Sequence, residues 1–184
     1  MALTPSNMLP LGTKAPDFEL LNVITNTNQS LESIKGVQAT VIMFICNHCP
    51  FVKHVNTEIS KLAKDYISKG VGFIAISSND ADNYPEDHPQ KLKEQAINND
   101  FKFPYLYDQT QQAAKDYLAA CTPDFFVFDS DLKLIYRGQL DDSRPGNDKC
   151  LNGEDIRHAL DCAMEGTENA RVQKPSIGCN IKWK

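Results

Sequence analysis

The sequence predicts an α/β domain, with a central mixed β-sheet flanked by helices and an N-terminal β-hairpin. Three features predict it. Residues 39–45 and 71–76 are short runs of continuous apolar character, as expected of strands buried on both faces. Between them Val52, Val55, Ile59, Leu62 and Tyr66 recur at helical spacing with charged residues interleaved, completing a strand–helix–strand unit. The chain then closes on two adjacent strands and another helix, which makes the sheet mixed and covers both its faces.

Each element follows from local pattern. Residues 18–23 read as a strand, and a turn-rich stretch leads to a second short strand before Leu31, which forms the hairpin. The helix over 51–69 stops at Gly70. Residues 77–85 are a polar loop and 86–98 a helix; 105–107 form a short strand and 110–119 a helix. Strands at 125–128 and 132–136 turn at Asp129-Ser130-Asp131. Asn152 is placed to cap a helix, with Asp155 three residues on, that carries Ile156, Ala159, Leu160 and Ala163 and ends near Gly166. No repeat or linker interrupts residues 1–184, which read as one domain. The tail 167–184 packs on it through Ile177 and Trp183.

Composition narrows the function. With 184 residues and 41% apolar content the chain builds a full core. A net charge of −5 argues against nucleic acid as a partner. The first residues lack the cationic start of a secretory signal, and the longest apolar run is far short of a membrane span, so a cytoplasmic protein is expected. Six cysteines are too few for a disulfide scaffold at this length. No phosphate-cradling glycine loop follows a strand, so no nucleotide cofactor is expected.

Chemistry concentrates in Cys46-Asn47-His48-Cys49-Pro50, where a buried strand gives way to a helix. Unpaired amides and the positive end of the macrodipole favour thiolate over thiol there. A thiolate with a second thiol one turn away attacks a disulfide or peroxide, and its neighbour resolves the product. Half of a zinc site is the alternative, but no second Cys pair exists, and His54 lies too far along the same helix to complete one.

Together with Ala15-Pro16-Asp17-Phe18 and Thr122-Pro123-Asp124-Phe125, this motif resembles the redoxin branch of the thioredoxin-like superfamily, which includes the peroxiredoxins. Tyr136-Arg137-Gly138 and Pro175-Ser176-Ile177-Gly178-Cys179 resemble a peroxiredoxin-like subgroup. The resemblance implies a thioredoxin-like fold and a thiol–disulfide oxidoreductase serving redox homeostasis. It needs no bound cofactor or metal, only a thiol or disulfide partner, protein or small molecule. It makes Cys46 the exposed nucleophile and Cys49 the buried resolving thiol. His48 tunes the Cys46 thiolate unless solvent screens it. Pro123 is implied to be cis, with the Thr122 backbone pairing to an extended substrate. Two departures stand out: Ile45 replaces the usual Trp, and Thr40 falls where thioredoxin keeps a buried Asp.

A peroxiredoxin register, Pro-x-x-x-Thr-x-x-Cys, instead makes Cys49 a peroxidatic, antioxidant cysteine. Ile42 and Cys46 then replace the proline and threonine. Arg137 or Arg144 is available to support peroxide, although surface ion pairs are the commoner use of such arginines. A copper carrier is a third reading, with His54 and His158 the candidates for the distant histidine ligand beside the two cysteines. Cys121 and Cys179 are each a packing residue or an extra redox thiol, with packing preferred. Cys162 reads as packing, and Cys150 as an exposed loop residue.

Overall fold

The computed structural model describes residues 3–184. Its strands are β1 (Leu3–Pro5), β2 (Glu19–Asn22), β3 (Thr27–Ser30), β4 (Ala39–Phe44), β5 (Val71–Ser77), β6 (Tyr105–Tyr107), β7 (Cys121–Thr122), β8 (Asp124–Asp129), β9 (Leu134–Gly138) and β10 (Ile177–Asn180). Its helices are α1 (Leu31–Ile34), α2 (Pro50–Ile67), α3 (Pro89–Asn98), α4 (Gln112–Asp116) and α5 (Glu154–Glu165). Seven strands form one mixed sheet in the order β3-β2-β6-β5-β4-β8-β9, and β2 with β3 is the expected antiparallel hairpin. This is a thioredoxin-like α/β fold.

β4 is the axis. It pairs in parallel with β5 and antiparallel with β8, and all six of its residues are buried. Alternate side chains point to opposite faces. Val41 and Met43 therefore join a core with α2, α3 and α5, while Ile42 and Phe44 join a second core with α1 and α4. In α2 the predicted stripe of Val52, Val55, Ile59, Leu62 and Tyr66 is buried, and each fully buried aliphatic side chain contributes roughly 1.5–3 kcal/mol. After α2, Gly70 takes φ +87°, a conformation that glycine adopts without strain.

The helix expected over 86–98 is divided. Pro85–Asp87 is a single 3-10 turn, and α3 starts only at Pro89. Proline has no amide hydrogen and suits a first helical turn, so two prolines four residues apart open two elements. The division turns Asp87 toward the cysteine motif. The cap of α5 also differs from expectation. Gly153, at φ +65°, is the N-cap, and Asn152 Oδ1 accepts the Glu154 amide from one residue further out. α4 is shorter than predicted and lies between left-handed Gln111 and Leu118.

The least expected element is a second sheet, β1-β10-β7. The tail returns to the domain as β10, placing Cys179 opposite Leu3 on one side and Thr122 on the other; it packs through Cys179 and Ile181 rather than through Ile177 and Trp183, which are exposed. Strands of two to four residues carry no periodicity that a sequence reading detects. Among the described residues no helix is long and apolar enough to cross a membrane.

Candidate active site

The chain leaves the sheet just after Ile45, whose amide still donates to Ile76 O at 3.0 Å. It enters α2 at Pro50, with Cys49 as the N-cap. Facing this junction, the Thr122–Pro123 peptide is cis, as the resemblance implied. Thr122 touches both thiols, with its Oγ1 3.4 Å from Cys46 Sγ and its carbonyl oxygen 3.3 Å from Cys49 Sγ. The fold thus assembles Cys46, Cys49, Thr122 and Pro123 at one end of β4, with His48 beside them.

Two expectations fail here. Cys46 is fully buried rather than exposed, whereas the burial of Cys49 is as the resemblance implied. Gln95 on α3 reaches over to donate to Cys46 O at 3.2 Å, and Asp87 holds the Asn47 and His48 amides at 2.8 and 3.1 Å. The Thr122 edge is likewise closed to a substrate strand, because the protein's own β10 already pairs there. That strand brings Cys179 Sγ to 2.9 Å from Cys49 Sγ, so a residue for which packing was preferred over a redox role lies against the dithiol.

Electrostatics separate the two motif thiols. The hydrogen bond from Cys46 lowers the Cys49 pKa most, and burial opposes it. The Cys179 thiol and the backbone amides of Val52 and Cys179 add to the lowering and bring Cys49 to about 5. The Thr122 carbonyl, 3.3 Å from Cys49 Sγ, works against the anion as burial does, and these donors outnumber it. Burial pushes the Cys46 thiol well up, with contributions from Cys49 and from the Asp87 charge. Cys179 is raised to about 12, by burial and by its bond to Cys49. The cluster therefore carries its negative charge on Cys49, at the N-terminus of α2.

His48 is anchored rather than solvated. Its Nδ1 lies 2.6 Å from Asp87 Oδ2, its ring stacks on Tyr84, and its buried Nε2 has no partner among the described residues. Asp87 also accepts from Asn79 Nδ2 at 2.8 Å. Burial alone would raise the Asp87 pKa, but the bonds from His48 and Asn79 pull it below the ordinary carboxylate value. Cys46 Sγ, one His48 ring nitrogen and one Asp87 oxygen all lie within 4.8 Å of one another, the one grouping among the described residues with the spacing to hold a metal ion. Removing the Asp87 charge with Asp87→Asn is expected to shift the Cys46 thiol toward easier ionisation. Residue-resolved alkylation across pH should show the Cys46 midpoint move down; an unmoved midpoint refutes the influence of Asp87.

The remaining candidates lie elsewhere. Thr40 Oγ1 accepts the Gly36 amide at the far end of β4 and has no part in the site. Arg137 is not on the surface. It is fully buried, and its Nη2 is 3.2 Å from Asp124 Oδ2 and 2.8 Å from Leu118 O. Arg144 donates to Asp141 O, Ser143 O and Gln139 Oε1. The histidines weighed as copper ligands are engaged with Ser143 and Cys162. Cys121 is buried against Pro123 O and Cys162 is buried in α5, whereas Cys150 is exposed. Asp87, Gln95 and Asn79 were missed by the sequence reading. One signal for Asp87 was present: an acid between Pro85 and Pro89, in the loop leaving the same sheet end as the motif.

No curated protein matches the sequence. Among solved structures, an uncharacterized conserved protein from Geobacillus kaustophilus is similar over 100% of this chain and 97% of its own, at 60% identity and TM-score 0.98. A hypothetical protein from Sinorhizobium meliloti 1021 is similar over 98% of each chain, at 43% identity and TM-score 0.96. The thioredoxin domain of a thiol-disulfide oxidoreductase from Bacteroides vulgatus shares the fold at 15% identity and TM-score 0.61, over 83% of this chain and 99% of its own. The AhpC/TSA family model matches residues 11–137, more than half of the sequence and nearly all of the seven-stranded sheet, so this thioredoxin-like chain belongs to the AhpC/TSA family.

Proposed function

We propose that the protein is a thiol–disulfide oxidoreductase in which Cys49 attacks and Cys46 resolves, the reverse of the order taken from the resemblance. One observation carries this reading: Cys49 caps the N-terminus of α2 with Cys179 Sγ 2.9 Å from its sulfur, and it is the motif thiol whose pKa is lowered. The thiolate is the nucleophile in disulfide exchange. Cys49 Sγ bonds to one sulfur of the substrate disulfide and expels the other as a thiolate. Cys46 then loses its proton and attacks Cys49 Sγ, which releases the second thiolate. Two electrons leave the dithiol, two substrate thiols form, and a Cys46–Cys49 disulfide remains. His48, oriented by Asp87 and with a ring nitrogen within 4.8 Å of Cys46 Sγ, is the acceptor for that proton. Thr122 and Pro123 position the two sulfurs.

A thiol peroxidase is the second reading, supported by the same thiolate and by the burial of both motif sulfurs. It lacks three parts of the usual cradle: Ile42 replaces the proline, Cys46 replaces the hydroxyl, and both candidate arginines are engaged elsewhere. The test supplies reduced protein with either bis(2-hydroxyethyl) disulfide or hydrogen peroxide and follows product formation and the Cys46–Cys49 bond. Faster consumption of the disulfide is expected. Rapid consumption of peroxide alone transfers the assignment to the peroxidase, and inertness to both refutes either reading. Because the Cys49 pKa is lowered, its alkylation rate should rise through about pH 5 and stay level at neutrality. An unperturbed thiol would still be rising at pH ~8.

A further inference from the structure

β10 occupies the place that a bound substrate would take. In the strand-addition mode, an extended segment pairs with an exposed backbone edge and presents alternate side chains to the site. Here β10 pairs antiparallel with β7, with Cys179 directly opposite Thr122. Its backbone amide and its thiol both act on Cys49. The Sγ–Sγ separation of 2.9 Å is longer than a disulfide bond of about 2.05 Å and shorter than two unbonded sulfurs ordinarily approach. The approach depends on Gly178, because a Cβ there would lie 2.0 Å from Thr122 O.

We propose that β10 is a built-in substrate strand that delivers Cys179 to Cys49 as a second resolving thiol, so that the oxidised protein exchanges between Cys46–Cys49 and Cys49–Cys179 disulfides. The proposal rests on the thiol–disulfide reading above. After Cys49 has attacked a small disulfide, Cys179 Sγ bonds to Cys49 Sγ, and the second substrate sulfur departs with the Cys179 proton as a thiol. The substrate disulfide is the oxidant and takes up two electrons. Cys46 can then attack Cys49 Sγ and expel the Cys179 thiolate, an exchange with no net redox change. In the Cys49–Cys179 form the tail is covalently fixed across the cis-proline loop; in the Cys46–Cys49 form it is held only by strand pairing. An incoming protein substrate must displace β10, whereas a small disulfide need not compete for the same edge.

The test uses full-length reduced protein carrying Cys150→Ser, which removes the exposed thiol, treated with bis(2-hydroxyethyl) disulfide and mapped by mass spectrometry. Cys46→Ser is expected to release about two substrate thiols per protein and to hold a Cys49–Cys179 bond. Adding Cys179→Ser should cut the release to about one and leave a stable mixed disulfide on Cys49. Cys46→Ser with Gly178→Ala should also lose most of the Cys49–Cys179 bond although both thiols are present, because the strand cannot seat. A persistent mixed disulfide in Cys46→Ser alone, or undiminished bonding with Gly178→Ala, overturns the proposal. Oxidation that proceeds unchanged in Cys49→Ser overturns the underlying reading as well, which separates the two failures.

Discussion

Cys49→Ser is expected to slow disulfide reduction by at least roughly 10³-fold, as loss of a nucleophile does. Cys46→Ser should leave the first chemical step nearly intact. The asymmetry follows from where the charge resides. Cys49 lies at the N-terminus of α2 against Cys179 Sγ and has a lowered pKa, whereas Cys46 is buried, faces Asp87 and has a raised one. Single-turnover kinetics with a small disulfide separates attack from resolution. The order implied by resemblance to thioredoxin requires the opposite result, an inert Cys46→Ser and a mixed disulfide trapped on Cys46 in Cys49→Ser. That outcome would return Cys46 to the role of nucleophile.

Arg137→Leu is the second large effect, with an expected loss of about 3–5 kcal/mol, the usual cost of breaking a buried ion pair from one side. Both Arg137 and Asp124 are fully buried. The guanidinium lies 4.3 Å over the Phe126 ring and ties the β8–β9 pair to Leu118 O. Burial raises the Asp124 pKa, and Arg137 pulls it back; without the arginine it rises further. The sign follows from proton uptake. A raised folded-state pKa means that the folded protein holds the proton more tightly than the unfolded chain, so stability falls as pH climbs from the unfolded value, about 3.9, through the folded one. The destabilisation of Arg137→Leu should therefore shrink in mild acid. Urea unfolding at two pH values measures it, and a loss below about 1 kcal/mol would refute the role given to the pair. Adding Asp124→Leu should restore much of the stability, since replacing both partners by apolar residues is often neutral. Asp124 directly follows Pro123, so loosening this pair should also disturb the loop that faces the thiols.

Local pattern made much of this protein legible. The continuous apolar run of β4 and the helical stripe of α2 report burial directly, because each is a repeat read along a single element. The position of Cys46-x-x-Cys49 between them follows from those two patterns. The resemblance to redoxins added the cis bond at Pro123. The chemistry of the site was less legible, because its decisive partners come from distant segments. His48 meets Asp87 across 39 residues and Cys49 meets Cys179 across 130. No local signal distinguished Cys179, on a four-residue strand, from an ordinary packing cysteine.

The sequence by itself determined the sheet-and-helix framework and the helix N-terminus on which the dithiol sits, because periodic burial and terminal amides are local properties of the chain. Only the tertiary structure decided which sulfur carries the negative charge and what covers it. Those outcomes depend on the hydrogen-bond donors that the folded tail and the Pro85–Asp87 turn bring to the motif, and such donors act only within a few ångströms.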